Sequence, residues 1–353
     1  MEVSVHVSHS FIQDTERADG IGMFNQWSRS NTRSSRIFLC LFAFFLVSCN
    51  RPPTDTSEVV EYAEKIGTGA LLILKKGESV VEFGDLNRRY MCHSIRKPFI
   101  GALFGIYIER GIIDIDMTME ELSIDDIPPQ LTAVEKGATI RDLLLSRSGV
   151  YHEAGGEAQS MIDARPVRGS HLPGTFFYYN NWDFNALGTI FEQLTGKGIF
   201  DAFHEEIALP IGMEDFSPDD CTYQYEPLKS RHPSYFFRMS TRDMARFGLL
   251  YQKYGRWNNR QIVPEEWILE STSIYPVLNN PGDPYGYLWR IIPVEAGLGH
   301  GFYHRGFGVH LLAVLPDLEI VVVHRVDTDI DFDITWEEIR TLIDMAAETI
   351  GIQ

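Results

Sequence analysis

The sequence predicts an α/β fold of the α+β type: an antiparallel sheet built from both chain ends, flanked by helices, with an inserted, mainly helical subdomain. Three observations predict it. Short apolar runs separated by turn residues occur near residues 70–81 and again after residue 285, which is the texture of strands. The stretch from about 115 to 250 instead reads as helix and loop, punctuated by many Gly and Pro residues. The chain then closes on an amphipathic segment, 336–349.

Taken in order, Ala70-Leu71-Leu72-Ile73-Leu74 is apolar, Lys75-Lys76-Gly77-Glu78 is a polar turn, and Val80-Val81 resumes the apolar run, so a hairpin is expected. From Ser94 to Arg110, apolar residues recur at helical spacing (Phe99, Ala102, Leu103, Ile106, Tyr107), and Gly111 supplies a stop. Ile140 to Leu145 and Trp182 to Leu194 read as helices. A further helix, Asp243 to Tyr251, is opened by the capping pattern Ser240-Thr241-Arg242-Asp243. Gly308 to Leu315 and Glu319 to Val326 read as strands about a Pro316-Asp317 turn. Thr335 and Glu338 have capping-box spacing at the start of the last helix. A sheet assembled from the two ends beside a helical lobe leaves a cleft between them.

The N-terminus differs in kind. Arg29, Arg33 and Arg36 precede twelve residues, Ile37 to Ser48, that hold no charge. That is too short to span a bilayer, which takes about 20 residues, but it suits the core of a signal peptide. The run ends in Leu46-Val47-Ser48-Cys49, which resembles a bacterial lipobox, so Cys49 is expected to be lipidated and to become the mature N-terminus. Met23 opens a better-proportioned signal than Met1 and is a candidate start. The expected organisation is a leader, 1–49, a proline-stiffened polar tether, 50–57, and one domain, 58–353, with its helical lobe at about 115–250. The expected location is the outer side of a bacterial membrane, periplasmic or cell-surface.

Net charge is −18, and the leader holds four Arg against four acidic residues, so the whole surplus belongs to the exported part. Such a charge argues against nucleic acid as a partner and against electrostatic docking on anionic lipid. Of four cysteines only Cys92 and Cys221 lie beyond the leader. They form no metal or redox spacing, and buried free thiols are expected. His300, His304 and His310 share a face on an alternating strand, yet no carboxylate accompanies them. Asp327, Asp329, Asp331 and Glu338 have the offsets of a calcium loop, but Phe332 stands where the turn needs Gly. No metal or other cofactor is therefore expected. Tyr285, Tyr287 and Trp289 read as a core strand with a second reading as a cleft wall.

The chemistry is carried by three short blocks. Ser94-Ile95-Arg96-Lys97 is an S-x-x-K at a helix start, where i and i+3 side chains share a face, so Lys97 reaches the Ser94 hydroxyl. Phe177-Tyr178-Tyr179-Asn180-Asn181-Trp182 precedes a helix, and His304-Arg305-Gly306 opens a strand. Together these resemble the class C β-lactamases and the related esterases and peptidases of the penicillin-binding-protein-like superfamily, whose pattern is S-x-x-K, Y-x-N, then K-T-G or H-x-G. Leu144 to Gly149, with Arg147 where His is usual, Pro173-Gly174-Thr175, and Ser240 to Gly248 resemble further blocks of that family.

The resemblance implies a serine hydrolase acting on a small ester, amide or peptide; the leader adds the expectation of export, and a monomer is expected. By it Ser94 is the nucleophile, and Lys97 and Tyr179 are its activating partners. Asn181, His304, Arg305 and Gly306 bind or orient substrate, and the backbone N–H groups of Ser94 and Phe307 form the oxyanion hole. Two Y-x-N registers exist, and the family's spacing to Leu187-Gly188 selects Tyr179–Asn181. His304 in place of the family's lysine weakens the case for a β-lactam or a peptide C-terminus, because histidine is only partly charged near neutral pH. Arg305 is a candidate to compensate. The competing class is a non-catalytic cell-wall-binding lipoprotein, whose mark would be a broken triad; all three residues are present.

The leader gives a first test. Cys49→Ala is expected to release the protein from membranes or block its processing, read by fractionation and gel mobility. Normal membrane retention with unshifted mobility would contradict lipidation.

Overall fold

The structure, a computed structural model, describes residues 55–276, 279, 284–293 and 296–351. Cys49, the leader and the first residues of the tether lie outside the described residues. Six strands form the main antiparallel sheet: β1 (Ala70–Lys75), β2 (Glu78–Gly84), β3 (Arg290–Ile291), β4 (Phe302–Gly306), β5 (His310–Leu315) and β6 (Ile320–Arg325), in the order β2-β1-β6-β5-β4-β3. The first two strands meet the last four through β1 and β6, so both chain ends share one sheet, as the sequence predicts. The β1–β2 turn places both Lys76 and Gly77 at positive φ, the geometry of a tight two-residue hairpin.

Helices cover both faces. On one side lie α1 (Ser57–Lys65) and α9 (Trp336–Thr349), which meet Leu71, Ile73, Leu311, Ala313 and Val322 of the sheet. On the other lies the long insert, carrying α2 (Arg96–Glu109), α3 (Ile140–Leu144), α4 (Gln159–Ala164), α5 (Asn181–Thr195), α6 (Ile199–Phe203), α7 (Thr241–Gln252) and α8 (Glu265–Ser271). Its apolar side chains join Leu72, Leu74, Leu312, Val314, Val321 and Val323 in the larger core. A strand covered on both faces has no solvent side, which is why β1, β5 and β6 are continuous apolar runs and not alternating ones. Helix α7 approaches β6 closely because Gly248 has no side chain; a Cβ there would fall 2.5 Å from Val321.

Two expectations change. Residues 57–65, read as the end of a tether and unassigned chain, form α1, whose Val59 and Ala63 are buried. The His304-Arg305-Gly306 block closes β4 and does not open a strand, since pairing with β5 begins at Phe302 and ends at Gly306 opposite His310.

Several basic groups are buried where sheet and insert meet. The Arg325 guanidinium, fully buried, donates to the carbonyl oxygens of Tyr90, Met91 and Met239 and to His310 Nδ1. Burial is the first cause that depresses the histidines here: His93 to about 3, His324 to about 4, and His304 and His310 well below their usual range. These four stay neutral in the folded protein at pH values where the unfolded chain protonates them. The unfolded state therefore binds more protons below about pH 6.5, so stability falls as pH falls. Buried Asp183, raised well above the usual carboxyl range by desolvation, works in the opposite direction and offsets part of the loss. Urea midpoints are expected to drop clearly between pH 7.5 and 5.0; an equal or higher midpoint at pH 5.0 would contradict neutral burial of these rings.

Candidate active site

The segment before Ser94 is fixed from two sides. Tyr90–Met91 pairs with Arg238–Met239, and the Cys92 N–H donates to the Phe237 carbonyl. His93 then turns the chain at φ 46°, a conformation costly for a residue with a Cβ, and its Nε2 lies 2.8 Å from the Thr328 hydroxyl. The chain enters a 3-10 turn, His93–Ile95, before α2 begins at Arg96. Ser94 thus sits on the turn that leads into the helix and not in the helix itself. The three-residue offset still brings the pair together: Lys97 Nζ donates to Ser94 Oγ at 3.0 Å. Lys97 is fully buried, and its ammonium lies 4.7 Å from the centre of the Tyr179 ring and 4.5 Å from that of Phe184. Aromatic faces carry negative potential and compensate part of the lost hydration.

Tyr179 arrives from the loop ahead of α5. Asn180 caps that helix by accepting the Trp182 N–H at 3.1 Å. Tyr178 turns the opposite way, its hydroxyl donating to the Met161 carbonyl and its ring edge-on to Tyr151. Of the two registers read in the sequence, the fold therefore brings Tyr179, and not Tyr178, to Lys97. Asn181 is buried in the first turn of α5, where its Nδ2 donates to the Gly156 carbonyl at 2.6 Å. Tyr285 packs edge-on to Tyr179 and is also buried in the core, so both readings of the aromatic strand hold for it.

The third wall is the end of β4. Gly306 lies against the segment that precedes Ser94: a Cβ on it would fall 3.0 Å from the Cys92 carbonyl and 3.4 Å from His93 Cβ. A side chain there would force these neighbours apart by a few tenths of an ångström. The Phe307 ring is partly exposed and meets His93 edge-on at 5.3 Å. His304 is buried, with its ring 6.3 Å from that of Tyr179. Its Nδ1–H donates to the Arg305 carbonyl at 2.8 Å, which leaves Nε2 as an acceptor, and that atom has no hydrogen-bond partner among the described residues. Burial first, then the charges of Lys97 and Arg290, hold this imidazole neutral.

Arg305 does not join the site. Alternation along β4 puts it on the opposite face of the sheet, its guanidinium 5.1 Å from the Trp336 ring of α9. The expected compensating cation is therefore misplaced. Another arginine stands at the site: Arg290 of β3, 5.2 Å from the centre of the Tyr179 ring. The sequence signal for it was slight, a single charge ending the aromatic run Tyr285 to Trp289. The candidate metal ligands do not converge. Asp327 pairs with Arg88 and Asp329 with Arg238, and no cluster of three or more His, Cys, Asp or Glu that could hold a metal ion occurs among the described residues. Cys92 and Cys221 are buried and free.

A family model described as beta-lactamase matches residues 57–329. A curated D-aminopeptidase of Gluconobacter oxydans (strain 621H) is 28% identical over 166 residues, covering 41% of this chain and 31% of that protein. The match thus spans about a third of the relative's length. An octameric penicillin-binding protein homologue from Pyrococcus abyssi superimposes with a TM-score of 0.60 at 19% identity, over 84% of this chain and 76% of that one. A D-stereospecific amidohydrolase from a Streptomyces species does so with a TM-score of 0.56 at 17% identity, over 77% of this chain and 93% of its own. At such identities the solved structures establish the fold, and the family model establishes the lineage: the chain belongs to the beta-lactamase family of serine hydrolases.

Proposed function

We propose that this hydrolase is exported as a lipoprotein and cleaves a small ester or amide through an acyl-enzyme on Ser94. The observation that carries the reading is the Lys97 ammonium, buried, 3.0 Å from Ser94 Oγ and over the face of Tyr179. In the proposed sequence, the Ser94 proton passes to the Tyr179 oxygen as Oγ bonds to the substrate carbonyl carbon. The Lys97 charge stabilises negative charge on the tyrosine, and the backbone N–H groups of Ser94 and Phe307 receive the oxyanion. Tyr179 then returns the proton to the departing amine or alcohol. Water hydrolyses the acyl group and restores the serine.

His304 shapes the substrate class. A neutral ring held as an acceptor cannot do what a fixed ammonium does for a carboxylate, which supports uncharged esters or amides over β-lactams at this position. The relative named a D-aminopeptidase and the structural neighbour named a D-stereospecific amidohydrolase support the amide side of this reading. Export rests on the leader alone.

Single-turnover acylation by an activated ester, read by mass spectrometry, tests the assignment. Ser94→Ala is expected to abolish labelling. Tyr179→Phe, which removes only the hydroxyl, is expected to slow acylation by about 10² to 10⁴, the usual range for a lost general base. His304→Ala is expected to be milder and to alter substrate preference. Labelling at another serine, or near-normal acylation by Tyr179→Phe beside a crippled His304→Ala, would overturn it.

A further inference from the structure

Helix α3 opens with a full capping box on Thr139 and closes at Leu145. The Ser146 N–H donates to the Leu143 carbonyl and the Arg147 N–H to the Asp142 carbonyl, so Ser146 is the residue just past the helix end. It stands at φ 56°, the left-handed conformation that Gly ordinarily supplies there without a steric penalty. The chain uses serine instead, and buries it almost completely.

What the serine gains is a set of hydrogen bonds to the two neighbours of Tyr179. Its hydroxyl donates to the Tyr178 carbonyl at 2.7 Å and accepts the Asn180 N–H at 3.0 Å. Its own carbonyl accepts the Tyr178 N–H at 3.1 Å. The peptides on both sides of Tyr179 are thereby tied to one residue at the end of a capped helix. Asn180 is fixed in turn through Trp182, Val150 and Asp183. Tyr179 lies in a loop that no strand pairing holds, yet its ring must stay on the Lys97 ammonium.

We propose that Ser146 is a positioning residue for Tyr179, a strap that holds the tyrosine at the Ser94–Lys97 pair. The proposal rests on the reading of Tyr179 as general base. Ser146 touches no reacting atom, so its effect runs through the tyrosine hydroxyl and disappears when that hydroxyl is absent.

The test is a double-mutant cycle on single-turnover acylation of Ser94 by one activated ester. Ser146→Gly relieves the backbone strain and removes the strap, and is expected to slow acylation by about 10- to 100-fold, the scale of a misplaced catalytic group, while KM changes little. In a Tyr179→Phe background the same substitution is expected to add less than about threefold, because coupled residues are not additive. Ser146→Ala, which keeps the Cβ and loses only the hydroxyl, is expected to match Ser146→Gly and decides the matter if the glycine variant folds poorly. Wild-type acylation rates in both Ser146 variants would overturn the strap. So would a loss that repeats in full without the tyrosine hydroxyl, since that marks a merely structural role. If Tyr179→Phe itself acylates normally, the general-base reading has failed; if it is slow while both Ser146 variants are normal, only the strap has failed.

Discussion

The buried ammonium of Lys97 is the constraint around which the rest of the molecule is arranged. Taking an ammonium out of water costs several kcal/mol even after relaxation, so it persists only where specific groups compensate it. Here the described compensation comes from the Ser94 hydroxyl at 3.0 Å and from the faces of Tyr179 and Phe184. Each of these sits on a different piece of chain: the turn before α2, the loop before α5, and α5 itself. Holding the charge therefore requires that all three pieces be fixed together. The same requirement brings Ser94, Lys97 and Tyr179 into one place.

The sheet serves this arrangement by supplying a rigid edge. The glycine at the end of β4 lets that strand abut the segment before Ser94, and the buried Arg325 ties the same segment to β6 through the carbonyls of Tyr90 and Met91. His93 takes the strained turn between that anchor and Ser94. Ser94, which follows the N-terminal hairpin, is thus held against two strands from the C-terminal part of the chain, β4 and β6. Along β4, residues alternate between the site and the far face, so His304 meets Tyr179 while Arg305 meets Trp336.

Much of this was legible in the sequence because it is local. The hairpin, the helix after Ser94, and the capped starts of α7 and α9 follow from periodicity and capping residues within a few positions. The S-x-x-K spacing fixes the serine–lysine contact whether the serine lies in a helix or in the turn before it. What was illegible depends on strand register or on distant partners. The side of the sheet that Arg305 faces follows from where β4 begins pairing, which the sequence does not mark. Arg290 reaches Tyr179 only because β3 is the edge strand next to β4. Helix α1 was hidden because its apolar residues, Val59, Val60, Tyr62 and Ala63, are few and alternate with charged ones beside a polar tether. The role of Ser146 is carried by backbone groups 32 and 34 residues away.

If the ammonium is kept for chemistry and not for the fold, removing it should separate activity from stability. Lys97→Met replaces it with an apolar side chain of similar length, and buried ions replaced by apolar groups commonly leave stability unchanged or raised. The direct measurement is thermal unfolding of Lys97→Met alongside acylation of Ser94. The account predicts a melting temperature equal to or above that of the wild type together with loss of acylation. Acylation at near wild-type rate would contradict the central claim, and so would parallel loss of folding and activity.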